Sequence, residues 1–321
     1  MAICVVAIHT HPLEDCTTII VNNIYDSFVK MAVPFFFLSS GFLMAQKFDS
    51  FHTAQKNIAT VKKYLLKIIK MYVVWTVVYL PIAVYHFVSS GTSALKAVLL
   101  YIRGFLFVGE QHNSWHLWYL LSTIYALVFI LILIYLKVSP KKAIFFSSII
   151  FLISIGIDYL SAYAGASNTF IELFIKMIKG SIVSGRILTG LFYIPMGCFL
   201  VRKQPNLKVS WSMLISGYLL NIFVQNSYWS SFFVAISSIG FFCVITSVTL
   251  ADSKVYPFVR KMSTITYFVH MYVWNFYCVL IYGKETFGAD CFLATAIICL
   301  VVSAVTVVVT ECCNKKQLKV T

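Results

Sequence analysis

The sequence predicts an all-α fold: a polytopic transmembrane helical bundle of about ten spans, the first of them truncated, forming one integral-membrane domain over residues 1–321. Three observations predict it. First, the chain is 60% hydrophobic and 11% charged, whereas a soluble domain carries about 25% charged residues. So little charge cannot cover a water-facing surface, and lipid must solvate most of the chain. Second, the apolar residues come in continuous runs rather than in alternation, which excludes a transmembrane β-barrel. Third, the basic residues that make up the net charge of +14 sit in short loops between those runs. That is the pattern of membrane orientation, not of nucleic-acid binding.

A spanning helix needs about 20 mostly apolar residues. The candidate spans are Val33–Ala45 with an amphipathic lead-in from Asn23, Met71–Val88, His116–Leu136, Ala143–Ala164, Ile187–Val201, Val209–Gln225, Ser231–Leu250, Thr264–Tyr282 and Cys291–Thr310. Met1–Ile8 would be a tenth, but its rise of about 12 Å is under half of the hydrocarbon core. It lacks a basic leading segment and a small-residue cleavage site, so a cleavable signal peptide is not expected.

Charge sets the orientation. Eighteen of the 25 Lys and Arg residues fall in Gln46–Lys70, Lys137–Lys142, Arg202–Lys208, Ala251–Ser263 and the tail from Glu311. The positive-inside rule places these loops, and with ten spans both termini, in the cytoplasm. Two loops on the other side are long. Ser89–Trp115 contains Leu95–Val108, which could lie flat as an interfacial helix, and Gly165–Arg186 contains the amphipathic Phe170–Ile178. Cys198, Cys243, Cys278 and Cys299 lie in apolar runs and read as small hydrophobes. No cysteine pair has zinc-ligand spacing, so neither a metal site nor a disulfide framework is expected.

Ionisable and polar residues inside a membrane are costly, which makes them functional candidates. His9 ends the first apolar run, ahead of His11 and Pro12; it is either a reactive group or a solvated interfacial histidine. In Val33-Pro34-Phe35-Phe36-Phe37-Leu38-Ser39-Ser40-Gly41-Phe42, a proline inside a span frees a backbone carbonyl that Ser39 or Ser40 can satisfy, and Gly41 admits close backbone or ligand approach. A kinked, tightly packed helix accounts for the same residues. Trp115, Trp118 and Tyr119 suit an aromatic belt, with His116 able to line a polar cavity beside them. His270 stands about 9 Å into its span, a depth that calls for a partner or a wet cavity. Lys63, Lys67 and Lys70 share one helical face by i, i+4, i+7 spacing. That face either binds a phosphate-rich ligand or only marks the cytoplasmic side.

These segments, in this order, resemble the membrane acyltransferase-3 family, and most closely the branch that includes the membrane domain of vancomycin-resistance serine racemases. The resemblance rests on Val5-Val6-Ala7-Ile8-His9-Thr10 with Pro12-Leu13, and on Ala32-Val33-Pro34-Phe35-Phe36-Phe37 through Gly41-Phe42. Trp118-Tyr119-Leu120 and the stretch from Ser263 through Tyr267 to His270 add to it. It covers the whole chain. No soluble domain follows the last span, so racemisation is not expected. The family's hallmark is an arginine followed, after ten residues, by a histidine in the first span. His9 matches the histidine, and the arginine position falls ahead of Met1.

The resemblance implies transfer of an acyl group, usually acetyl from acetyl-CoA, to a hydroxyl of a cell-envelope glycan or a small acceptor in the bacterial plasma membrane. It implies no permanently bound cofactor; acyl-CoA is the donor substrate. His9 would be the general base, Ser40, His116, Tyr119 and His270 would line the acceptor cavity, and Lys63, Lys67 and Lys70 would hold CoA phosphates. The competing readings are a transporter or flippase without chemistry, for example for serine, and a non-catalytic membrane scaffold.

Overall fold

The computed structural model describes residues 1–48, 55–111, 113–162, 185–225, 227–253 and 255–317. The amphipathic stretch expected at Phe170–Ile178 lies outside them. Among the described residues there are twelve α-helices and no strand. Seven helical stretches are long and apolar enough to cross a membrane: Ile19–Ala45, Gln55–Ser89, Trp115–Tyr135, Pro140–Tyr159, Trp229–Thr246, Val255–Tyr282 and Ala289–Cys313. Two further apolar helices, Gly190–Leu200 and Leu207–Phe223, are shorter. The chain is a multi-pass membrane protein. Its residues cluster into two compact units, Met1–Ala32 with Val248–Thr321, and Val33–Ser247.

The first unit joins the two ends of the sequence. It holds α1 (Ala2–Thr10), α2 (Ile19–Val29), α11 (Val255–Tyr282) and α12 (Ala289–Gln317). The short first run does form a helix, and its end has a local cause. His11 takes the left-handed conformation (φ 43°) and its N–H bonds to the Ala7 carbonyl, closing the helix, while Pro12 cannot extend it. Helices α11 and α12 form a hairpin. Buried Thr266 and Ser303 hydroxyls bond across it at 2.9 Å, each satisfying the other. Lys261 and Glu311 pair at 2.8 Å at the end of the hairpin opposite its loop. Helix α11 begins nine residues ahead of the expected Thr264, through Arg260 and Lys261, because neither Lys nor Arg breaks a helix.

The second unit holds α3 (Ala32–Ala45) from Val33 onward, α4 (Gln55–Ser89), α5 (Ala94–Arg103), α6 (Trp118–Tyr135), α7 (Pro140–Ala162), α8 (Gly190–Leu200), α9 (Leu207–Phe223) and α10 (Ser227–Thr246). Pro34 does not kink a span, contrary to the sequence expectation. It is the third residue of α3, in the first turn, where a missing N–H leaves no helical bond unmade. Gly41 does admit close approach, and the approach is by backbone. A Cβ there would lie 2.0 Å from the Ile194 carbonyl oxygen of α8, and one at Gly197 would lie 2.2 Å from the Leu38 carbonyl oxygen of α3. The Cys198 thiol donates to the Gly41 carbonyl at 3.3 Å across the same crossing. Gly217 and Gly240 do the same between α9 and α10. Small residues let helices approach this closely where no hydrophobic effect drives them together.

Helix α4 runs unbroken through Lys62–Lys70, a stretch that the charge count placed in a loop while Lys63, Lys67 and Lys70 were read as one helical face. Its buried face carries Asn57, Val61, Ile68, Tyr72, Thr76 and Tyr79. Helix α5 continues into a π-helical turn, Gly104–Val108. Leu95, Val98, Leu99 and Ile102 of α5 are all exposed at helical spacing, the pattern expected of an interfacial helix. Tyr72 of α4 donates to the Phe105 carbonyl at 2.7 Å and fixes this turn.

Candidate active site

The eight residues expected at a site fall into two sets, one in each unit. His9 and His270 belong to the unit made from the chain ends; Ser40, His116, Tyr119, Lys63, Lys67 and Lys70 belong to the other.

In the first unit, Val5, Val6, Ala7 and Thr10 of α1 are buried, which fixes the rotation of the short helix, and His9 is half-buried. His270 is fully buried, past the midpoint of a 28-residue helix. The two rings meet with centroids 5.3 Å apart and planes tilted by 32°. The sequence separation of these histidines hides the pairing. Nδ1 of His270 lies 2.7 Å from the Tyr267 carbonyl oxygen and 3.3 Å from that of Thr266. Carbonyls only accept, so Nδ1 carries the proton and Nε2 holds the lone pair of the neutral ring. A backbone clamp thereby sets the tautomer of one histidine, and that histidine faces another. Such a pair can hold one imidazole as an acceptor of protons, the requirement for a general base.

The end of α1 is tied down within the same unit. The Gly288 N–H donates to the Thr10 carbonyl at 2.9 Å. His11 meets Phe287 edge-on at 5.2 Å, and Phe287 stacks on buried Trp274 at 5.5 Å. Tyr25 of α2 donates to the Ala7 carbonyl at 2.9 Å. The loop after α11 and the helix after α1 thus hold His9 from two sides of its own unit.

In the second unit, Ser40 and Tyr119 share a hydrogen bond of 3.0 Å, and the Tyr64 phenol lies near Ser40. One serine hydroxyl therefore links α3 and α6. Tyr119 packs on Phe37 at 4.5 Å. His116, 2% exposed in the 3-10 turn that opens α6, meets the edge of Tyr79 at 5.1 Å. Tyr64 and Tyr79 were missed from sequence. The signal was present: Tyr64, Tyr72 and Tyr79 recur on one face of α4, but a tyrosine stripe on a membrane helix also reads as packing. Lys63, Lys67 and Lys70 are all exposed, on the side of α4 away from Tyr64, Ile68 and Tyr72. They share that side with exposed Leu66, Val74 and Val77, so any phosphate they bind is held at the rim of the helix.

Among the described residues, no three His, Cys, Asp or Glu side chains come together as metal ligands.

Comparison with known proteins adds the chemistry. A family model described as an acyltransferase domain matches residues 1–311. An amino-acid racemase of Enterococcus faecalis is 28% identical over 236 residues, 72% of this chain and 31% of the relative. A second amino-acid racemase of the same organism is 30% identical over 212 residues, 64% of this chain and 27% of the relative. A serine/alanine racemase of Enterococcus gallinarum is 29% identical over 248 residues, 72% of this chain and 32% of the relative. The match thus spans about a third of each relative's length. No solved structure matches the chain.

Proposed function

Because the chain belongs to the acyltransferase-3 family, we propose that it transfers an acetyl group from acetyl-CoA to a hydroxyl of a cell-envelope glycan or small acceptor, in a bacterial plasma membrane with both termini cytoplasmic. The observation that carries this reading is the His9–His270 ring pair with its backbone-clamped tautomer. His9 accepts the proton of the acceptor hydroxyl as the oxygen attacks the thioester carbonyl. The carbon–sulfur bond breaks, an ester forms, and the departing thiolate takes a proton to give free CoA. His270, whose Nε2 can accept from an N–H of His9, is the positioning residue: it keeps the other nitrogen of His9 unprotonated. Ser40, His116 and Tyr119 are read as acceptor-contacting groups, and Lys63, Lys67 and Lys70 as a charged rim for CoA phosphates.

Membranes carrying the protein, given labelled acetyl-CoA and an envelope glycan fraction, test the reading. Wild type should deposit alkali-labile label on the glycan, and His9→Ala should not. Equal transfer by the two would remove His9 from the mechanism.

The names of the relatives favour one rival. Each is a racemase, so a segment that supplies an amino acid without acyl chemistry is the second reading. It predicts serine uptake into vesicles that is independent of acetyl-CoA and unchanged by His9→Ala.

A further inference from the structure

All nine cysteines are free thiols. Two of them are nevertheless neighbours: Cys278 of α11 and Cys291 of α12 lie with their sulfurs 3.9 Å apart, both fully buried. They stand 13 positions apart, and the turn between the helices brings them face to face. Cys278 is four residues from the end of α11, and Cys291 is the third residue of α12. The pair therefore sits about one helical turn below the loop.

The surroundings concern the loop above. The Cys278 thiol and the Trp274 indole N–H both donate to the Thr286 carbonyl, at 3.3 and 3.1 Å. Tyr282 bonds the Asp290 carboxylate across the neck of the loop, and the Cys291 thiol approaches the same carboxylate at 3.7 Å. Two residues beyond Thr286, Gly288 holds the end of α1 through the Thr10 carbonyl. Gly283 (φ 67°) and Gly288 (φ 130°) bound the loop with backbone conformations that favour glycine, so it has a hinge at each end. The thiols thus lie at the base of a strap that reaches the helix carrying His9.

We propose that Cys278 and Cys291 are a thiol–disulfide pair, a modification site that staples this strap shut. The oxidant is a low-molecular-weight or protein disulfide. One cysteine thiolate attacks it and releases one thiol, forming a mixed disulfide; the second cysteine attacks that bond and releases the other thiol. Two cysteine thiols are oxidised, one external disulfide is reduced to two thiols, and every proton is accounted for. Because both sulfurs are buried, the first exchange requires the loop to lift on its glycine hinges. The orientation proposed above puts the pair on the oxidising side of the membrane. That orientation bears only on where the oxidant comes from, and the pairing itself is tested without it.

The test uses membranes treated with oxidised glutathione. The protein is denatured, its remaining thiols are alkylated, and tryptic peptides are analysed by mass. Cleavage at Lys261, Lys284 and Lys315 separates the two cysteines into different peptides. Wild type and Cys299→Ser should yield these peptides joined, lighter by two hydrogens than their reduced sum, with most of the Cys278 signal in the joined form. Cys291→Ser should lose the joined form. Finding Cys278 and Cys291 fully alkylated in oxidised wild type, while the adjacent Cys312 and Cys313 are not, would overturn the proposal.

Discussion

The two units bury polar groups in different ways. In Val33–Ser247 a serine hydroxyl is satisfied by a tyrosine on another helix, and both residues come from one continuous segment. In the unit made from the chain ends, two imidazoles meet from helices at opposite ends of the sequence. Phenols and a serine hydroxyl exchange hydrogen bonds but hold their protons near neutral pH, whereas imidazoles give and take theirs there. On the proposed function, proton transfer belongs to the first unit, and the second supplies acceptor contacts and helix packing without taking up protons.

Substitutions can break or sharpen that division. His9→Ala should lower acyl transfer by about 10²–10⁴-fold, the range for losing a general base, with the protein still folded by detergent melting. A loss near that of Tyr119→Phe would dissolve the distinction between the units. His270→Ala should cost less, roughly 10-fold, and should shift the pH–rate profile, because the remaining base loses its orienting partner; His270→Gln should recover part of the rate. An unchanged profile would make His270 a packing residue only.

Effects in the second unit should appear in stability first. Gly41→Ala drives a methyl group into the Ile194 carbonyl, which must move because a backbone oxygen cannot rotate away. A loss of about 1–3 kcal/mol is expected, visible as a lower melting temperature in detergent. Tyr119→Phe removes one bond to Ser40 and should cost about 1 kcal/mol, leaving transfer at saturating substrate within a few-fold of wild type. A larger fall in transfer than in stability would move chemistry into this unit. The smallest perturbation by atoms is the removal of two hydrogens at Cys278 and Cys291, and it sharpens the comparison by holding the His9 helix with no side chain replaced.

Much of the fold was legible because its signals are local. Runs such as Trp118–Tyr135 identify themselves by length and apolarity. Boundaries were less legible where charge continues a helix. Lys62–Lys70 and Arg260–Lys261 look like loops to a hydropathy reading, yet they are helical because Lys and Arg suit a helix as well as Leu does. Pro34 misled for the opposite reason: its residue type says break, and only its place in the first turn says start. Of the site, the residue types were legible and the partners were not. Nothing local to Ser40 names Tyr119, and nothing local to Cys278 names Cys291.

What the sequence determined by itself is the solvent and the material: a chain with 11% charged residues must live in lipid, must be helical there, and must place its few histidines with purpose. Only the tertiary structure decided the pairs. Which histidine faces His270, which tyrosine meets Ser40 and which thiol lies against Cys278 depend on helix rotation and crossing within each unit, as the Gly41–Ile194 contact fixes the crossing of α3 and α8 in the second. In a bilayer the backbone bonds of each helix are complete within it, so side-chain packing alone chooses its neighbours.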